Sequence, residues 1–79
     1  MPLSLASAGE TVELVAIKVG WGLQRRLADM GLTPGVMVRV ISSGKPGPVV
    51  LDVRGSRLAL GYGVAHRIMV NAGGARKND

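Results

Sequence analysis

Residues 26–35 read Arg26-Leu27-Ala28-Asp29-Met30-Gly31-Leu32-Thr33-Pro34-Gly35. They predict the end of a helix followed at once by a tight turn. Leu23, Leu27 and Met30 recur at i, i+4 and i+7, which puts them on one helical face, so a helix is predicted over Trp21–Met30. Arg25 and Asp29, four apart, fall on another face and can pair weakly. Gly31 is suited to the left-handed conformation that commonly ends a helix, and Leu32 beyond it can cover Leu27. In Thr33-Pro34-Gly35, proline presets φ and glycine allows φ > 0, as a tight turn requires. The other end of the helix is poorly specified. No Ser, Thr, Asp or Asn precedes Trp21, and Gly22 lies in the first turn.

Outward from this stretch the apolar period changes from helical to two. Downstream, Val36–Ile41 predicts a strand with Val36, Val38 and Val40 on one face and Met37, Arg39 and Ile41 on the other. Ser42–Pro48, with two Gly and two Pro, reads as a loop. Val49–Val53 and Arg57–Leu60 read as strands joined at Arg54-Gly55, a two-residue hairpin turn; Val49, Leu51, Val53, Leu58 and Leu60 are the inward set. Gly61-Tyr62-Gly63 interrupts, Val64–His66 reads as one helical turn, and Arg67–Asn71 as a last strand with Ile68 and Val70 inward. Upstream, Thr11–Val19 alternates Val12 and Leu14 with Thr11 and Glu13. Met1–Ala8 is a lead-in from which Leu3 and Leu5 can pack onto the domain, and Gly9-Glu10 is a turn. Five short strands, tight turns and one inserted α-helix predict a mainly β fold, a small five-stranded barrel spanning 1–71. Residues 72–79 are expected to be a disordered tail.

Composition bounds the function. The 79 residues make one small domain that hides only about 60% of its unfolded surface. With no Phe, one Trp and one Tyr, its core must be aliphatic. No Cys is present, which excludes disulfides, thiolate metal sites and a cysteine nucleophile. No apolar run is long enough to span a bilayer, and residues 1–8 lack the basic and apolar regions of a signal peptide. Ten Lys and Arg against five acids give a formal charge of +5. That excess either serves solubility or favours a partner of negative potential.

The stretch that opens this reading resembles the RL..MGL.PG signature of FeoA domains. Around it, Leu5, Gly9-Glu10, Val38, Val40, Gly47-Pro48-Val49, Gly55, Leu58-Ala59-Leu60, Ala65 and Ile68 follow the same order, so the likeness runs from about Leu5 to Val70. Leu27, Met30, Gly31, Leu32, Pro34 and Gly35 are its structural signature. Relatives often carry a more charged stretch at Gly61-Tyr62-Gly63. The resemblance implies an SH3-like barrel and a cytoplasmic, non-enzymatic role in ferrous iron uptake. Its partner would be a FeoB-type permease with a GTPase portion, which would hold the chain peripherally at the inner membrane. The same domain ends metal-dependent repressors of the diphtheria-toxin-repressor type, and a stand-alone relative of that domain is one alternative.

Few residues suggest chemistry. His66 is the only histidine, with no nucleophile framed for it and no metal-ligand spacing. A weak transition-metal site would need it beside Glu10, Glu13, Asp29 or Asp52. No enzyme activity and no cofactor are expected. Gly20-Trp21-Gly22 and Gly61-Tyr62-Gly63 lack the rest of any phosphate-binding pattern and read as turns. A small basic barrel binding nucleic acid is the other alternative. It is disfavoured because Trp21 and Tyr62 are the only stacking candidates. Trp21 is expected to cap the core beneath the helix start, as Trp is highly buried on average; the competing reading is an exposed partner anchor. Arg25, Arg39 and Arg54 are expected to face solvent and to meet an acidic partner. The partner-binding candidates are therefore Trp21, Arg25, Arg39 and Arg54.

Overall fold

A computed structural model describes residues 1–43 and 47–73. A 3₁₀ turn, Leu3–Leu5, leads into β1 (Thr11–Ile17), α1 (Trp21–Asp29), β2 (Met37–Ser43), β3 (Val49–Val53), β4 (Ser56–Leu60), α2 (Tyr62–His66) and β5 (Ile68–Asn71). The strands form one antiparallel sheet in the order β4-β3-β2-β1-β5. All five expected strands are present. β2 runs on through Ser42 and Ser43, which were expected in the loop, because both pair with β3. Positions 44–46 of that loop and 74–79 of the expected tail lie outside the described residues.

Two irregularities curl the sheet. The β1–β5 register slips at Val15, and the β2–β3 register slips at Ile41. Such bulges bend and twist a strand, which lets the edge strands β4 and β5 contribute to one core. The chain connects those edges through α2. On the far side of β5, Pro2 bridges Met69 and the Val70 N–H donates to the Met1 carbonyl. The core is wholly aliphatic. Val12, Val38, Val40, Leu51 and Ile68 are fully or almost fully buried, joined by Leu3 from the lead-in and Leu27 and Leu32 from the helix end. Each such Leu or Ile side chain stabilises the fold by roughly 1.5–3 kcal/mol.

The end of α1 is built as its sequence reads. The Gly31 N–H donates to Ala28 C=O (2.9 Å) and the Leu32 N–H to Leu27 C=O (3.0 Å), the paired bonds of a Schellman motif. Gly31 takes φ +96°, and a Cβ there would sit 3.2 Å from Val53 Cγ1. Val36 N–H then donates to Thr33 C=O with Gly35 at φ +94°, which makes Thr33–Val36 a type II turn. At the β3–β4 hairpin, Arg54 and Gly55 both take positive φ, as a type I′ turn requires. Asp52 Oδ1 accepts the Gly55 N–H at 2.7 Å.

Three burial expectations are corrected. Met30 is not on the apolar face of α1. It is the C-cap, with φ −90° and ψ 5°, and is 48% exposed, because the helix ends at Asp29 before Met30 can be carried round to the core. Leu5 is exposed while Leu3 and Ser4 are buried. Trp21 does not cap the core: it is 73% exposed.

Candidate docking surface

The start of α1 is held to the sheet by one side chain. Gln24 Nε2 donates to Ile17 C=O at 2.8 Å, and Leu27, one turn on, enters the core. Gly20 is the N-cap, extended at φ −62° and ψ 159°, and makes no side-chain capping bond. Trp21 follows it into solvent. Leu23 is half-buried at the core margin.

Two shallow grooves flank this helix. The larger, of about 250 Å³, is lined by Val19, Gly20, Leu23, Gly63, Val64 and Arg67. It lies between the start of α1 and α2. The Lys18 N–H donates to Arg67 C=O at 2.8 Å and ties the two segments together. The smaller, of about 170 Å³, is lined by Ile17, Gln24, Ala28, Leu32, Thr33 and Pro34. Both are smaller than the roughly 300–1,000 Å³ of small-molecule sites.

The four sequence candidates do not gather into one site. Trp21 and Arg25 share α1, four residues apart and both exposed. Arg39 is exposed on β2 opposite Asp52, and Arg54 sits at the hairpin tip. Gly31 abuts Val53, so Arg54 lies near the C-terminal end of α1, while Trp21 begins the other end about 13 Å away along the helix. The sequence reading missed Val64 and Arg67 as neighbours of α1. Their one visible signal was a cation following a short helical turn.

His66 is placed by a contact the sequence did not suggest. Its Nδ1 lies 3.0 Å from the hydroxyl of buried Ser4, in a hydrogen bond joining the lead-in to α2. Its ring stacks on Tyr62 with centroids 6.1 Å apart. Among the described residues, no three of His, Cys, Asp and Glu converge as a metal site. No helix among them is long and apolar enough to cross a membrane.

A curled five-stranded sheet with one helix inserted after the first strand is the arrangement of an SH3-like domain. The family description that matches residues 1–72 is the FeoA domain. The chain belongs to the FeoA family. It is 41% identical over 69 residues to "Putative Fe(2+) transport protein A" of Methanocaldococcus jannaschii, covering 87% of this chain and 83% of that one. Its fold is similar to the crystal structure of an iron uptake regulatory protein, FeoA, with TM-score 0.83 and 39% identity over 90% of this chain and 95% of that one. It is also similar to the zinc-complexed FeoA of Stenotrophomonas maltophilia, described as a prokaryotic SH3 domain protein, with TM-score 0.78, 26% identity and 92% of each chain covered. In this FeoA-family chain the signature residues Leu27, Gly31, Leu32, Pro34 and Gly35 build the end of α1 and the turn after it. They leave the start of the helix to other uses.

Proposed function

We propose that this chain is a non-catalytic adaptor in ferrous iron uptake that binds the cytoplasmic portion of a FeoB-type permease. Family membership and the iron-transport name of its archaeal relative support the process. The observation that carries the adaptor role is Trp21, 73% exposed at the start of α1 and next in sequence to Gly20, which lines the larger groove. Exposing so large an apolar side chain gives the folded chain nothing, whereas Trp is enriched among the residues that dominate binding at interfaces. The chain supplies a rigid small surface and the permease supplies transport and nucleotide hydrolysis.

The test is a binding titration of the pure protein against the detergent-solubilised permease in its GTP-, GDP- and nucleotide-free states. Saturable binding is expected in at least one state. No binding in any state up to about 100 μM, a free energy weaker than about −5.5 kcal/mol, overturns the adaptor role.

A further inference from the structure

The larger groove contains a glycine that the fold does not require. Gly63 is the second residue of the five-residue α2, a position that most other residues fill with a higher helix propensity than glycine. Its backbone is not in the left-handed region, and a Cβ added there would meet nothing within 4 Å. Gly20, across the groove, also has open space around it. Neither residue is small because the protein's own atoms press on it, unlike Gly31, which has both a positive φ and Val53 against it. The groove's apolar lining is Val19, Leu23 and Val64, which pack on the core from its margin. Lys18, Arg25 and Arg26 lie on the segment that carries Val19, Gly20 and Leu23, with Asp29 only at the far end of α1. Arg67 itself lines the groove.

From these features we infer that the groove between α1 and α2 docks a short acidic segment of the partner protein. One bulky apolar side chain of that segment would lie between Gly20 and Gly63, and its carboxylates would face Arg67, which lines the groove. The inference rests on the adaptor reading and names its face and the chemistry of its partner. The volume suits a single side chain rather than a cofactor. The paired glycines admit the partner's backbone to close range. The cations set orientation and encounter rate, with a salt dependence that follows from their exposure. A nucleic acid would answer the charge but not the two glycines and the apolar lining.

The experiment uses the full chain and two probes. The first is a short peptide with a central Leu pair flanked by glutamates, compared with its lysine-flanked counterpart and followed by backbone NMR shifts. The second is the solubilised permease. The variants are Gly63→Leu, which fills the groove, and Arg67→Glu, which reverses its charge. Gly63→Leu should melt no lower than wild type, since it adds helix propensity in open space, yet lose at least tenfold in affinity for both probes. Arg67→Glu should weaken both, most at low salt. The glutamate peptide should shift Val19, Leu23 and Val64, and the lysine peptide should not. Permease binding left intact by Gly63→Leu would overturn this face while the adaptor role stands. Groove shifts with the glutamate peptide but no permease binding would uphold the groove and overturn the permease as partner. No groove shifts with the glutamate peptide, equal shifts with both peptides, or displacement of the glutamate peptide by an oligouridine of similar length would overturn the inference.

Discussion

The two ends of α1 are built on opposite terms. At the C-terminal end the signature residues answer to the fold, Met30 excepted. Leu27 and Leu32 are buried, Gly31 has positive φ and Val53 against it, and the Schellman bonds and type II turn satisfy the backbone. At the N-terminal end only Gln24, bonded to Ile17, and the half-buried Leu23 do. Gly20 caps without a side chain, Trp21 is exposed, and Gly63 opposite has room for a side chain it lacks. Residues at the first end are explained by packing. Those at the second end are left over when packing has been accounted for, and the leftover set is where binding is to be sought.

Substitutions can break this contrast. The largest effect belongs to Leu27→Ala at the constrained end. Removing a fully buried leucine side chain costs about 2–5 kcal/mol, against a total stability of roughly 0.05–0.15 kcal/mol per residue. Denaturant unfolding should therefore show the variant at the edge of folding. Gly31→Val comes next. A β-branched side chain at φ +96° costs at least ~1–2 kcal/mol, and its Cβ would press on Val53. A melting point lower by roughly 10 °C is expected. Wild-type stability in either variant would mean that the helix end is not what anchors α1.

The same contrast explains what could be read from the sequence alone. Leu27, Gly31, Leu32, Pro34 and Gly35 were legible because each is determined by neighbours within a few positions, through helical period, cap and turn. The strand faces were legible for the same reason. Trp21 was not, because size and apolarity argue for burial and only the helix geometry opposes it. It lies six residues before Leu27, about 120° round the helix at 100° per residue. Met30 failed differently, since its place on the stripe holds only if the helix continues one residue further. The groove was beyond reach: it joins Leu23, after β1, to Val64 and Arg67, before the neighbouring strand β5, segments far apart in the chain, and no local pattern encodes that approach. The bulges at Val15 and Ile41, which curl the sheet, were equally invisible to an alternation of apolar and polar residues.

A smaller effect on stability is expected from Trp21→Ala. With the ring largely in solvent, its removal should change stability by no more than about 0.5 kcal/mol. Affinity for the permease should fall by at least tenfold, as for an interface anchor. A destabilisation of 2 kcal/mol or more would return Trp21 to the core and erase the difference between the two ends.

The smallest effect is the sharpest, and it uses Gly20. The residue already has the extended backbone of an N-cap, at φ −62° and ψ 159°, so Asn or Asp can be placed there without strain. Either side chain can accept a backbone N–H in the first turn of α1 and should raise stability by a few tenths of a kcal/mol over glycine. The two are nearly isosteric, so they fill the groove mouth equally and differ in charge. Asp should gain slightly more stability from the helix dipole, but for binding an acidic partner it should be the worse of the two. An exposed charge contributes about 0.2–1 kcal/mol, so Gly20→Asp should bind the permease up to about fivefold more weakly than Gly20→Asn in low salt. The gap should close near 1 M salt, where the screening length is about 3 Å. Equal affinities at low salt would mean that the cations around the groove serve solubility and that the partner segment is not acidic. A stronger interaction for Gly20→Asp would reverse the sign of the proposed partner altogether.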